Sequence, residues 1–293
     1  MVRSLIPAVA PGTTMDDIVT DRFDYARLDE PGASTRLGLL STVVRVTDRD
    51  GGVDVGYVRD GELHRVRASR CVLAGYHMMI PRIMPELPAA QQEALRSNVK
   101  APLAYVKVLV RDWHPWVRAG VHEITNPIGY FSRLKLDYPV SLGSYRCPRS
   151  PDEPMVLHLV HVPAAREPGL DARERFRRAR QRLYDTTFED VEAHLRDELT
   201  RMLGPGGFDA DRDIAAVTVN RWGHGYSYGG GALFDPPPDG PEPYELARAP
   251  AGRVAIANSD AAWSAFAHSA IDQANRAVQE LLPAPRRGGV RRA

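Results

Sequence analysis

The residues from Gly252 to Gln273 have the types and spacing of a ligand-holding turn. Arg253-Val254-Ala255-Ile256-Ala257 reads as a short strand and Asn258-Ser259-Asp260 as a small polar loop with one acid. Ala267-His268-Ser269-Ala270-Ile271 reads as a helix start rich in small residues. Small side chains let a backbone approach a bound group. The free N–H groups and positive dipole end of a helix suit an anionic phosphate or a carbonyl oxygen. A β-turn-α unit without any ligand has the same pattern. Other chemistries are poorly supplied. His158 and His161 stand three apart on an expected strand, face opposite sides and make a poor metal pair, so no metal site is expected. Cys147 is an isolated thiol with a structural reading, and no Ser/His/Asp set sits in a recognisable elbow. Only three of the 38 basic residues are lysines, Lys100, Lys107 and Lys135. Where arginine is the default cation, a lysine is slightly informative.

Several elements must position these residues. Thr42-Val43-Val44-Arg45-Val46 is β-branched, Gly51-Gly52 and Asp60-Gly61 are turn signals, and Leu63 to Leu73 supplies further strand. The pattern predicts a three-stranded meander ending at Cys71-Val72-Leu73-Ala74. A short helix is expected over Ala89–Ser97 and a strand over Leu103–Val110, before Trp113-His114-Pro115-Trp116. Short strands, Met155–Val162 among them, are expected between Gly120 and Pro168. A long helix over about Asp171–Leu203 carries Phe188, Val191, Leu195, Leu199 and Met202 at steps of three and four, stopped by Gly204-Pro205-Gly206-Gly207. Ile214–Arg221 reads as a strand and Pro236–Pro243 as a proline-rich linker. An amphipathic helix over Ala267–Leu282 is expected to bury Ile271, Ala274, Val278 and Leu281.

At 293 residues the chain can bury a substantial core, and its 43% apolar and 26% charged residues are ordinary for a globular protein. With 38 basic side chains against 37 acidic ones there is no electrostatic footprint for nucleic acid. No stretch of 18 apolar residues exists, so no membrane span is expected. Met1-Val2-Arg3-Ser4-Leu5-Ile6-Pro7 contains no long apolar run, so no secretory signal is expected. Two cysteines make neither a disulfide framework nor a four-cysteine zinc site, and a reduced cytoplasmic protein is the expectation.

The carboxy-terminal strand, loop and helix start closely resemble the last cofactor-binding segment of the flavin-containing amine oxidase family. Met78-Met79-Ile80-Pro81, Pro85-Glu86-Leu87-Pro88, Thr218-Val219-Asn220-Arg221-Trp222 and Asn258-Ser259-Asp260-Ala261 together resemble its spermidine dehydrogenase branch. The similarity runs from about residue 35 to residue 282. It implies a mixed α/β fold: a partial FAD-binding domain over residues 1–100, a mixed-sheet substrate domain over 101–235, and a return to the FAD-binding domain over 236–293. It implies FAD contacts from Val43, through its backbone to the adenine, and from Asn258, Ser259, Asp260, Ser269, Ala270 and Ile271. Lys107 stands where the family often places a lysine that bonds a water beside flavin N5; an exposed strand lysine is the alternative. Trp222, Tyr226 and Tyr228 stand where the family supplies aromatics around the substrate amine, whose cation their faces stabilise; core packing is the alternative. The substrate implied is a small amine or polyamine.

One part of the family pattern is missing. The family begins with a βαβ unit carrying a Gly-x-Gly-x-x-Gly loop for the dinucleotide pyrophosphate. Gly51-Gly52, Gly204–Gly207 and Gly229–Gly231 are not placed between a strand and a helix with that spacing. Two readings follow. The chain is the catalytic and substrate part of a flavin amine dehydrogenase, complete with a separate chain that carries the dinucleotide-binding half, or it is a non-catalytic remnant or binding module.

Overall fold

A computed structural model describes residues 1–165, 167–227, 229 and 240–282. In chain order the strands are β1 (Thr42–Arg49), β2 (Gly52–Arg59), β3 (Glu62–Ala68), β4 (Cys71–Leu73), β5 (Lys100–Val110), β6 (Glu123–Thr125), β7 (Arg133–Leu136), β8 (Met155–His161), β9 (Ile214–Ser227) and β10 (Val254–Ile256). The longer helices are α1 (Ala89–Ser97), α2 (Ala172–Asp185), α3 (Phe188–Leu203) and α4 (Ala267–Leu281). This is a mixed α/β fold, divided into two compact units.

The first unit comprises Met1–Leu40, Pro102–Pro163 and Gln181–Gly223. Its sheet runs in the order β6-β7-β8-β5-β9 and is antiparallel from β6 to β5. Side chains alternate across it with period two. Val106, Val108 and Val110 of β5, Leu157 and Leu159 of β8, and Leu134 of β7 are buried in one cluster with Val191, Leu195, Leu199 and Leu203 of α3. The expected apolar period of that helix is therefore its core face. The single long helix expected over Asp171–Leu203 is two helices, because Thr187 caps α3. Its hydroxyl accepts from the Asp190 amide at 3.1 Å while the Asp190 carboxylate accepts from the Thr187 amide at 3.0 Å.

The second unit comprises Ser41–Ala101, Ala164–Arg180 and the chain from His224 on. Strands β1, β2 and β3 form an antiparallel meander, its second turn closed by Asp60 and Gly61 at φ 52° and 80°. The expected third strand stops at Ala68. Cys71–Leu73 is a separate strand that pairs in parallel with β10, Val254 opposite Cys71 and Ile256 opposite Leu73. Val46, Val53, Leu73, Ile80, Leu95, Val254 and Ile256 share this unit's core. On the other side of β10, Ala255 and Ala257 are buried with Ala277 of α4.

One expectation is corrected here. The stripe Ile271, Ala274 and Val278 of α4 is exposed, and only Leu281 of the expected set packs, partly, against the core. Small Ala277 permits close approach to β10, and the Arg276 guanidinium donates to the Ile256 carbonyl. Met1–Leu40 groups with the first unit, where the Gly143 amide donates to Asp16 Oδ1 at 3.1 Å. Ala164–Arg180 groups with the second, where Arg173 Nε donates to the Ser97 carbonyl at 3.1 Å and Arg180 Nη2 to that of Lys100 at 3.0 Å. No helix among the described residues is long and apolar enough to cross a membrane.

Candidate functional site

The face of the five-stranded sheet turned away from α3 carries the first set of candidates. With Val106 and Val108 in the core, alternation turns Tyr105 and Lys107 to the open face. Register places Lys107 beside His158 on β8 and His158 beside Lys135 on β7, so the three share that face. Strand β9 follows the same rule. Val217 and Val219 pack on the core, and Arg221 Nη1 donates to the Thr186 carbonyl at 2.6 Å, on the helix side. A Cβ on Gly223 would strike the Tyr184 hydroxyl, also on that side. Asn220 and Trp222 therefore point to the open face with Lys107. Asn220 Nδ2 reaches the Tyr105 carbonyl at 3.5 Å.

This face is an electrostatic as well as an aromatic surface. Lys107 Nζ donates to Asp137 Oδ2 at 2.5 Å with about a third of its side chain exposed (37%). Partial burial works against the Asp137 charge, but the Lys107 ammonium and the Tyr138 amide outweigh it and hold its pKa below the usual value. Burial, reinforced by Lys107, pushes His158 below the ordinary imidazole value, so the ring is neutral at pH 7. Tyr105 meets the His158 ring edge-on at 5.0 Å, and Lys135 Nζ lies 3.2 Å from the Tyr138 ring centroid. His161 turns to the opposite face from His158, as their spacing predicts, and stacks at 3.8 Å on Tyr130. Trp222 is half exposed.

The second unit holds the other candidates. Asn258 sits at φ 91°, a left-handed value costly for a side chain. It is held there by Asn258 Nδ2 donating to the Ala74 carbonyl at 3.1 Å and by its Oδ1 accepting from the Ser259 amide at 2.5 Å. Asp260 is fully buried. Its Oδ1 accepts from Lys100 Nζ, and its Oδ2 accepts from the His77 amide at 3.2 Å. Lys100 is itself buried, with Nζ 4.7 Å from the Tyr76 ring centroid. The His77 ring is buried with neither nitrogen hydrogen-bonded, and burial pushes its pKa down to about 4, against a weaker opposing pull from Asp260. The Asp260 carboxylate is thus committed to partners inside the protein.

Helix α4 begins at Ala267 behind Phe266, with no side-chain cap. The Ala270 amide already donates to the Phe266 carbonyl at 3.1 Å, and the Ile271 amide lies one residue further into the helix. The amides without an intrahelical partner are those of Ala267, His268 and Ser269, and of the expected set Ser269, Ala270 and Ile271 only Ser269 is among them. The Ser269 hydroxyl lies 2.8 Å from that of Ser264, and the Ile271 side chain is exposed. Val43 adjoins a β-bulge: Val43 pairs with Tyr57 and Arg45 with Gly56, leaving Val44 unpaired. Val43 and Asp260 belong to the same unit. Tyr226 is half exposed on the part of β9 assigned to the second unit, while Tyr228 lies outside the described residues. Sequence reasoning missed Lys100 and His77. The rarity of lysine was the signal that singled out Lys100; nothing in the sequence pairs it with Asp260.

No family model and no curated protein matches the chain. Solved structures do. A cyclohexylamine oxidase from Brevibacterium oxydans IH-35A aligns with a TM-score of 0.57 at 16% identity, over 82% of this chain and 47% of its own. A putrescine oxidase redesigned in cofactor binding, the A394C mutant, aligns with a TM-score of 0.54 at 17% identity, over 82% of this chain and 48% of its own. The wild type of that enzyme, bound to putrescine, aligns with a TM-score of 0.50 at 17% identity. The fold is of the amine oxidase type. The chain spans about half the length of the structures it matches.

Proposed function

We propose that this chain is the substrate-facing part of a flavin-dependent amine oxidase or dehydrogenase, of the spermidine dehydrogenase-like kind, acting on a small amine or polyamine. The observation that supports the reading is strand alternation, which turns Lys107 of β5 and Trp222 of β9 to the same face of the sheet in an amine oxidase-type fold. Flavin adenine dinucleotide, when bound, would accept hydride from the carbon beside the amine. The residues present fit its two ends. The uncapped amides of Ala267–Ser269 and the strained Asn258–Asp260 turn suit the flavin carbonyls, and the unpaired Val44 of the bulge beside Val43 offers backbone to the adenine. Nothing in the sequence fits the pyrophosphate, because no Gly-x-Gly-x-x-Gly loop is present.

The chain's own contribution is binding, orientation and proton control. The Trp222 face attracts the cationic amine and Tyr105 extends the apolar surface. Neutral His158 is able to accept the proton an amine must lose before hydride leaves. Lys107, anchored by Asp137, holds a water in place. By the resemblance alone, Tyr226 and Tyr228 are proposed as further aromatic residues for the amine. The absent pyrophosphate loop is the one observation that favours the second reading, a non-catalytic module. An anaerobic mixture of the chain in a flavin-loaded assembly, completed by a dinucleotide-binding half, with putrescine, spermidine or cyclohexylamine separates the two. Amine-dependent bleaching that is lost in Trp222→Ala supports catalysis; no bleaching with any of the three supports the module.

A further inference from the structure

The cations on the open face of the first unit's sheet are not all matched by acids. Leu134 of β7 is in the core, so Arg133 and Lys135 turn to the open face, and register sets Glu123 of β6 opposite Lys135. Arg133 Nε donates to Glu123 Oε1 at 2.5 Å, and Lys107 is bonded to Asp137. Both of those acids therefore hold a cation already. Among the described residues, no carboxylate forms an ion pair with Lys135.

Lys135 is nevertheless the more buried lysine of the two, at 5% exposed. A buried lysine is ordinarily paired, because a charge taken out of water without a counter-charge is costly. The Tyr138 ring lies over it, with its centroid 3.2 Å from Nζ, and that tyrosine is itself 67% exposed. A neutral ring face attracts the ammonium but leaves its charge uncancelled.

The neighbours indicate what such a cation suits. His158 of β8 stands directly beside Lys135, with Lys107 of β5 on its other side. Adjacent strands are about 4.8 Å apart. His158 is the group assigned above to take the amine's proton, so the unmatched cation stands one strand away from the amine. A second ammonium on the substrate would be repelled there. A carboxylate would be attracted and would supply the counter-charge that Lys135 lacks.

We propose that the substrate carries a carboxylate as well as its amine, separated by a chain of a few carbons, and that Lys135 takes the carboxylate as the exposed Tyr138 ring moves aside. The proposal rests on the reading under Proposed function and narrows its substrate class from amines and polyamines to amino carboxylates.

Three ligands that share one amine arm and differ at the far end test it, by titration of the amide signals of the purified full chain. They are 5-aminopentanoate, pentylamine and putrescine, ending in a carboxylate, a methyl group and an ammonium. The carboxylate should bind about tenfold more tightly than pentylamine, and putrescine less tightly than pentylamine. Lys135→Met should bring 5-aminopentanoate to the affinity of pentylamine, and Lys135→Arg should keep the preference. Equal affinity of the parent chain for 5-aminopentanoate and pentylamine, or tighter binding of putrescine, overturns the proposal. That comparison uses the parent alone, so it does not depend on any variant folding. Pentylamine shifts at His158 and Trp222 would then leave the amine-facing reading standing. No shift there with any of the three ligands overturns both.

Discussion

At the scale of single residues, two of the three lysines have different partners, which the sequence left undistinguished. Lys100 is an internal cation for Asp260, whereas Lys107 is a surface one for Asp137. Removing one member of a buried pair leaves the other charge without a partner, which costs about 3–5 kcal/mol. Lys100→Met should therefore lower stability in urea unfolding by that order. Lys100→Met with Asp260→Asn should restore most of it; a double variant as unstable as the single one would contradict the pairing. Lys107→Met should leave the melting temperature nearly unchanged, because its ion pair is exposed and weak. In a flavin-loaded assembly it should slow anaerobic flavin reduction on the order of tenfold. Reduction as fast as in the parent would remove the water-holding role.

At the scale of elements, the legible parts were those in which local pattern and burial agree. The period of α3 is its core face, and Leu195→Ala should cost about 2–5 kcal/mol in urea unfolding. The Asp60-Gly61 turn and the meander were equally readable, because a positive φ at both positions selects those residues. The break between α2 and α3 was present in Thr187 and Asp190 but hidden by an apolar period that runs across it. Helix α4 failed for a different reason. Its apolar stripe is real, but periodicity says only that one face differs from the other, and this helix seats Ala277 and Arg276 instead. The candidate site was legible by type and not by contact. Lys107 and Trp222 were found as strand residues, but their common face depends on which side α3 covers. Asp260 was found as the loop acid, while its partner Lys100 lies 160 residues away.

At the scale of the whole molecule, two properties follow. The first is acid sensitivity. The folded chain holds His77 neutral with a pKa near 4, whereas an unfolded chain takes up the proton at about 6.5. Stability is full above the unfolded value and is lost as pH falls from about 6.5 toward 4, by on the order of 3 kcal/mol. Urea midpoints across that window should show the slope, and His77→Asn should flatten it. The second is the division of the candidates: Lys107 and Trp222 belong to the first unit, Val43 and Asp260 to the second, and the proposed function would divide amine and cofactor between them. The most direct test follows amide signals of the purified chain by nuclear magnetic resonance while putrescine or cyclohexylamine hydrochloride is added, and flavin adenine dinucleotide in a separate series. The amines should shift Tyr105, Lys107, His158 and Trp222, and the dinucleotide should weakly shift Val43–Arg45, Asn258–Asp260 and Ala267–Ser269. Amine shifts that miss the open face of the sheet, or no shifts at all, would contradict the account.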